Sequence, residues 1–370
     1  MASPPPIWMA EPTRFARLSQ RSARIVAAVL AVLLLGALAS LAAPAPPAAS
    51  GTGNSADDQR DVLLYEEIVD AMRHGGGYYD VAVTELRAGH YPLRPFFTVR
   101  LPGLARVQAA LPQPLVIVLL YALVVAVLAA WAMRFRTAFA RWPGRAVAMT
   151  LLAGGLMAFV QADLWAFHEI WAGLLIALAL AIRRPGRWIE AVAIALLAAL
   201  IRETAALMLV IMAAMAWIEG ERREATGWAA ALGILALALA AHAWGVAQLV
   251  GPLDPASPGW SGMLGPGFAL HSVRAATALV LAPGWLAALL VVLALFGWSG
   301  WRDPLARRVL AVMAGYGTIL ALFARPDTFY WVLLIAPLSL VGLAFAPDAL
   351  RDLARAARGT RRVVVTRMDR

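Results

Sequence analysis

Long apolar stretches interrupted by short polar clusters recur along nearly the whole chain. Their lengths predict ten membrane-crossing helices, at about 25–43, 114–133, 146–160, 165–182, 188–201, 204–218, 228–250, 275–299, 309–324 and 328–346. The stretch from 188 to 218 has two readings: one long helix with Arg202 and Glu203 buried at its middle, or a hairpin of two short helices turning at that pair. Charge decides between them. With the hairpin, Arg222, Arg223, Arg302, Arg307, Arg308 and the arginine-rich tail share one side, and Arg274 and Arg325 lie on the other. A single long helix inverts every one of these, so the positive-inside rule favours the hairpin and places both termini in the cytoplasm. The expected organisation is a basic cytoplasmic N-terminus (1–24), a multi-pass domain (25–346) with one large extracytoplasmic loop (44–113), and a basic cytoplasmic tail (347–370).

Composition agrees with an all-α polytopic membrane protein. Hydrophobic residues make up 62% of the 370 positions and charged ones 15%, and mean hydropathy is +0.72, which excludes a soluble domain. The net charge of +10 does not point to nucleic acid, because the basic residues sit between apolar runs as topology signals. All 32 basic residues are arginine, a bias that fits a GC-rich bacterial genome; the expected location is the bacterial inner membrane. With no cysteine in the chain, disulfides, thiolate metal sites and cysteine nucleophiles are excluded. Arg14, Arg17, Arg21 and Arg24 before the apolar 25–43 stretch, followed by "APAPPAAS", allow a signal peptide. The stretch is longer than a usual signal core, which favours an uncleaved first span. Gly154, Gly155 and Gly233 read as close-packing points between helices.

The informative polar residues gather on the outer face. "QADLWAFHEIW" supplies His168 and Glu169, "LIRETA" supplies Arg202 and Glu203, and "FARPDTFYW" supplies Arg325 and Asp327. The first loop adds His90, Arg94 and Arg100 from "ELRAGHYPLRPFFTVRLPGLARV". Arg202 and Glu203 end two spans too short to cross a bilayer fully, and ionisable groups at that depth are costly unless they face a polar cavity. Within the loop, residues 61–72 predict an amphipathic surface helix with Asp61, Leu64, Tyr65, Ile68 and Met72 on one face and Gly75 to Gly77 as its stop. Asp61 then sits near the helix N-terminus, where the dipole favours a carboxylate, and Tyr65 lies one turn later. A carboxylate at the mouth of a cavity suits a general base that takes a proton from an acceptor hydroxyl; the alternative is a helix that only anchors the loop.

Asp61 followed by Tyr65 in "DVLLY", then "EEIVDAMRHGGGYY" and "YPLRP", resembles the first outer loop of membrane glycosyltransferases of the GT-C superfamily, especially the aminoarabinose transferase and protein O-mannosyltransferase branch. "LLAALIRETAALML" is similar to their Arg-Glu turn between short helices. Two departures stand out: Val62 occupies the position of a second acid, and "YPLRPFF" replaces a lysine-proline-proline segment, so Arg94 takes the lysine's part. The chain also carries no counterpart of a large C-terminal periplasmic domain, which leaves the acceptor open among glycan, lipid and protein.

The resemblance implies juxtamembrane helices in the first loop, a polyprenyl-phosphate sugar as donor, membrane lipids as surroundings, and Asp61 with Tyr65 at the catalytic position. A departing lipid phosphate develops negative charge that arginines stabilise; Arg202 and Arg325 are the first candidates, Arg94 and Arg100 the second. A single in-line attack inverts the anomeric centre, whereas retention needs a second close carboxylate, for which Glu169 and Glu203 are available. His168 reads either as a second base or as a residue capping a helix start, and His90 and Asp327 are further candidates. No His/Asp cluster has metal-ligand spacing and no cofactor is expected, although "ADDQRD" offers oxygens to a divalent cation. The competing classes are a lipid-linked-sugar flippase or transporter, which would line both halves of a pathway with charge, and a scaffold subunit of envelope glycan assembly, in which Asp61 would be dispensable.

Reporter fusions after Gly53 and Gly259 are expected to read extracytoplasmic, and fusions after Gly186, Gly220 and Gly359 cytoplasmic. An extracytoplasmic reading at Gly220 would remove the hairpin and scatter the outer cluster.

Overall fold

A computed structural model of the chain describes residues 6–46 and 55–359, and every regular element among them is a helix. Among the described residues four helices are long and apolar enough to cross a membrane: Gln20–Ala42, Gln113–Ala138, Arg222–Ala247 and Pro304–Leu322. A fifth span forms if Pro326–Leu334 and Ala336–Ala344, bent by 71°, are taken together. His168–Ile182, Ile189–Ile201, Glu203–Ile218 and Gly284–Gly300 are apolar but shorter. The outer surfaces of the long helices are greasy, with Val32 and Leu35 each 67% and Leu237 74% exposed, an arrangement stable only against hydrocarbon. The protein is therefore an all-helical membrane protein.

The helices are numbered in chain order: α1 (Gln20–Ala39), α2 (Ser55–Arg73), α3 (Tyr78–Ala88), α4 (Gly103–Ala110), α5 (Gln113–Ala138), α6 (Trp142–Gly155), α7 (His168–Ile182), α8 (Ile189–Ile201), α9 (Ala206–Ile218), α10 (Arg222–Ala247), α11 (Gly265–Ala276), α12 (Gly284–Gly300), α13 (Pro304–Leu322) and α14 (Ala346–Arg358). The chain turns back between α8 and α9. Arg202 is extended there (φ −136°, ψ 107°), and the far ends of both helices meet one cluster: Trp188 lies against Gly227, Glu219 pairs with Arg308, and Glu224 pairs with Arg183. A straight helix of this length would hold those ends roughly 45 Å apart, at 1.5 Å per residue.

Three predicted spans differ from what forms. The expected 146–160 helix ends at Gly155, and Met157–Val160 is a separate 3-10 segment. The expected 275–299 helix starts only at Gly284, because Thr277 is extended (φ −134°, ψ 173°) and closes α11 as a separate helix. The expected 328–346 helix is broken: Pro337 lacks the amide that would bond one turn back, and its ring would crowd the carbonyl there. The break is packed from both sides by glycine. A Cβ on Gly155 would lie 2.6 Å from the Ala336 and Pro337 carbonyl oxygens, and one on Gly173 would collide with the Leu333 carbonyl. Gly154 is also a close-packing point, against Ala278, but Gly233 is not, since nothing lies within 4 Å of a Cβ there.

The two terminal segments, expected as separate basic tails, are joined. Asp348, fully buried on α14, accepts backbone N–H groups from Ile7 (2.6 Å), Trp8 (3.1 Å) and Met9 (3.0 Å). Asp352 accepts the Thr13 amide (2.8 Å) and hydroxyl (3.0 Å). The segment continues with Ala10 N donating to Ala138 O (2.9 Å) at the end of α5. Carboxylates that accept backbone amides in a buried site hold an otherwise irregular chain in one place.

Asp348→Ala is expected to lower stability by about 3 kcal/mol or more, since each bond to a charged acceptor contributes roughly 1.5–3 kcal/mol and three amides lose their partner. Thermal unfolding of the detergent-solubilised protein measures this; a loss below about 1 kcal/mol would mean the N-terminal segment is not held by this side chain.

Candidate functional site

Helices α2 to α4 and the loop between α10 and α11 form a polar cap over one end of the bundle. Along α2, Leu64, Tyr65, Ile68 and Val69 are buried while Glu67 and Asp70 are exposed, as an amphipathic helix requires. The helix starts at Ser55, however, not at Asp61. Asp61 is thus well inside it, beyond the first turn over which the dipole acts, and the dipole does not account for its charge state. Gly75, at φ +97°, ends the helix in a conformation that favours glycine. The following segment is held by strand-like bonds without a sheet: Leu93 N donates to Pro255 O (2.9 Å) and Ser257 N to Arg94 O (2.7 Å).

Beneath this cap runs a chain of alternating charge. The Tyr65 hydroxyl accepts from Arg100 Nε (3.0 Å), and Arg100 Nη1 donates to Glu203 Oε1 (3.2 Å). Glu203 also receives Arg202 Nη1, and Arg202 Nε reaches Glu169 Oε1. Tyr78, at the start of α3, donates to the Arg100 carbonyl (2.5 Å) and so fixes the backbone of the residue at the centre. Burial alone would lower the Arg100 pKa, but the Tyr65 hydroxyl and the Glu203 and Glu169 carboxylates more than offset it and hold it above the ordinary value. Burial pushes the Tyr65 hydroxyl up to about 12, against the pull of Arg100.

Asp61 stands apart from this chain. Burial raises its carboxyl above the ordinary aspartate range, opposed by a hydrogen bond from Tyr91 and by the charge of Arg100. It opens on a cavity of about 1250 Å³. Tyr65, His90, Arg100, Arg202, Glu203, Arg325 and Asp327 line the same cavity, whereas Arg94, His168 and Glu169 do not. Arg94 instead donates to the Asp254 carbonyl (2.8 Å). His168 is 2% exposed, with no partner for either ring nitrogen among the described residues, and packs edge-on to Tyr65 at 4.7 Å. Glu169 is fully buried behind Arg202. His90 adopts φ +59°, which turns the chain between α3 and the Tyr91 segment.

Arg202 and Arg325, first among the candidates, have different surroundings. Arg202 is 2% exposed and committed to two carboxylates. Arg325 makes a forked pair with Asp327 (3.0 and 2.8 Å), and the Asp327 side chain is 64% exposed, so that pair is open to solvent and exchangeable. The side chains of Asp57 and Asp58, which carry the oxygens offered to a cation, lie outside the described residues. Among the described residues no group of three or more His, Asp or Glu is arranged to hold a metal.

Sequence reasoning missed Tyr91 and the aromatic wall of the cavity. Trp260 packs on Phe97 (4.8 Å between centroids) and meets Trp331 (6.0 Å), and Tyr330 meets Phe167 (5.3 Å). Tyr91 lies in the "YPLRP" stretch, but no periodicity marks which way an irregular segment points. Buried charge is not confined to the cavity end. At the far end Arg183 pairs with Glu224 (2.5 Å), Arg308 with Glu219 (2.5 Å), and Arg134 bonds the Ala181 carbonyl (2.6 Å). None of these lines the large cavity; they are packed pairs that tie helix ends together.

The chain matches no protein-family profile, no curated protein and no solved structure.

The folded chain holds the Asp61 proton more tightly than the unfolded chain does. The side chain therefore costs nothing below the unfolded-state pKa, and its cost grows as pH rises from there through the raised folded value. Asp61→Asn is expected to be neutral or stabilising at neutral pH. Tyr91→Phe, which removes a donor to the carboxylate, is expected to move its titration further up. Infrared difference spectra across pH, with Asp61→Asn identifying the carboxyl band, measure both. A downward move in Tyr91→Phe would show that the hydroxyl does not serve the carboxylate.

Proposed function

We propose that this protein is a membrane glycosyltransferase that moves a sugar from a polyprenyl-phosphate donor to an acceptor hydroxyl at the extracytoplasmic face of a bacterial inner membrane. The observation that carries the reading is the half-buried Asp61, raised in pKa and bonded to Tyr91, opening on a large cavity that also holds Arg325, Trp260 and Phe97. A base with an elevated pKa removes a proton more readily at neutral pH than an ordinary carboxylate. The cavity runs from this polar end to Ala158, Ala275 and Ala276, small apolar residues suited to a lipid chain. The bundle around it is read with ten spans in the GT-C manner, the short apolar helices serving as crossings and both termini in the cytoplasm.

In the proposed step the acceptor hydroxyl gives its proton to Asp61, and its oxygen attacks the anomeric carbon. The bond from that carbon to the phosphate oxygen breaks with its electron pair on the phosphate. Arg325 receives that charge by exchanging Asp327 for the phosphate. Arg202 and Arg100 act one layer back: their guanidinium groups are already paired, so they hold Glu203 and Tyr65 in place instead of gripping the donor. Glu203 is tied to two arginines and Glu169 does not reach the cavity; neither is free to act as a nucleophile. The transfer is therefore read as a single inverting displacement.

Purified protein supplied with a defined polyprenyl-phosphate sugar and candidate acceptors is the test. Asp61→Asn is expected to lose two or more orders of magnitude in rate. Arg325→Gln is expected to raise the donor KM roughly tenfold, the scale of one charged hydrogen bond, with Lys restoring only part because it lacks the fork. Arg202→Gln is expected to impair folding as well, and combination with Glu203→Gln to recover part of that loss. Transfer from a nucleotide sugar alone, or full activity in Asp61→Asn, would overturn the reading.

A further inference from the structure

One buried histidine on a spanning helix takes no part in the proposed chemistry. His242, on α10, is 2% exposed, and both of its ring nitrogens meet the polar cap: Nδ1 lies 3.2 Å from the Tyr79 hydroxyl and Nε2 3.0 Å from the Val99 carbonyl oxygen. A carbonyl only accepts, so Nε2 carries the ring hydrogen. In a neutral imidazole Nδ1 is then bare, and Tyr79 is the donor to it. Glycine makes room for that donor. A Cβ on Gly245, one turn after His242, would lie 2.8 Å from the Tyr79 ring.

The bond to Val99 matters because of the residue that follows it. Val99, Arg100 and Leu101 lie outside any helix, so no ladder of backbone bonds sets their direction. Two side chains do so instead. His242 holds the carbonyl that precedes Arg100, and Tyr78 holds the carbonyl of Arg100 itself (2.5 Å). Each carbonyl belongs to a planar peptide, and these two planes meet at the Arg100 Cα, so gripping both fixes the direction in which its side chain leaves the backbone. That side chain joins Tyr65 (3.0 Å) to Glu203 (3.2 Å). Two adjacent tyrosines at the start of α3, one of them acting through a histidine of α10, therefore aim the guanidinium at the centre of the charge chain.

We propose that His242 is a positioning residue of the cavity: held by Tyr79 as the Nε2–H tautomer, it sets with Tyr78 the direction of Arg100, and through Arg100 the places of Tyr65 and Glu203. Its effect on sugar transfer rests on the function proposed above, whereas the tautomer and its influence on Tyr65 do not.

The test is NMR of the detergent-solubilised full chain, with ring nitrogens labelled in its five histidines and Cζ labelled in its tyrosines; H242Q identifies the His242 signals and Y65F that of Tyr65. At neutral pH His242 is expected as one tautomer, Nε2 protonated and Nδ1 bare. H242N is expected to shift the Tyr65 signal, because the asparagine amide reaches only as far as Nδ1 and loses the Val99 carbonyl. H242Q, whose amide nitrogen is as many bonds from Cβ as Nε2, is expected to leave Tyr65 near its wild-type position. In an R100Q background H242N is expected to add no shift, since the influence passes through Arg100. Should H242N not fold, Y79F is expected to move Tyr65 in its place, by a smaller amount. In the transfer assay H242N is expected to lower kcat roughly fivefold, the scale of one neutral hydrogen bond, with the donor KM unchanged, and H242Q to recover most of that loss. An Nδ1–H tautomer, a Tyr65 signal unmoved by H242N, or an equal movement in the R100Q background would overturn the proposal; a wild type that transfers no sugar would overturn the proposed function alone.

Discussion

The chain of charge from Tyr65 through Arg100, Glu203 and Arg202 to Glu169 is the constraint on which the cavity-bearing half of the molecule depends. Arg202 and Glu169 are almost wholly buried, and a lone charge in such surroundings would be prohibitively expensive. Alternation of guanidinium and carboxylate removes that cost only while all four charged residues keep their places. Those residues come from the first loop, from the start of α7 and from the turn between α8 and α9, so satisfying the charges also fixes the loop to the bundle. The same pairing explains why α8 stops where it does. Arg202 leaves helical geometry, and its side chain serves two carboxylates at once.

A second ionic cluster, built on Glu224, Glu219, Arg183 and Arg308, closes the opposite end. Trp228 adds a bond to Glu224 (3.1 Å) and Arg134 bonds the carbonyls that end α7. The two clusters bracket the apolar helices α7 to α9, and this makes a hairpin of short helices tenable in a bundle whose other members are longer. The large cavity lies at the end capped by α2 to α4. There the chain runs through short 3-10 segments, Met157–Val160, Ala162–Leu164 and Pro326–Leu334, in place of long helices, and the space they leave is lined by Asp61, Arg325 and the aromatic rings. Close packing elsewhere is secured by glycine against bare carbonyls, as at Gly155 and Gly173.

Charge neutralisation within the cavity limits what its arginines can do. Arg100 and Arg202 are spent on internal carboxylates, so any anion entering would meet Arg325 as the cation whose partner is most exposed. Asp61 is the converse case: its carboxylate is supported by Tyr91 and by Arg100 at longer range, and burial prevails. Retaining an acid in an unfavourable setting costs stability, and sites that hold such groups are commonly functional.

The sequence by itself determined the class of protein, because the length and spacing of apolar runs are local properties that a bilayer reads directly. It also determined the turn at Arg202, where a charged pair falls between two short apolar runs, and the buried face of α2, where the period puts Leu64, Tyr65 and Ile68 together. Tertiary structure decided what those residues touch. That Arg202 answers to Glu169 as well as to its neighbour, that Tyr91 turns to Asp61, and that Asp348 captures the backbone of Ile7 to Met9 are contacts between positions far apart in the chain. The start of α2 before Asp61 and the breaks at Thr277 and Pro337 were settled in the same way. Periodicity reports which face of a helix is buried, but the partner of a buried charge is chosen by the whole fold, since every buried charge must be answered at once.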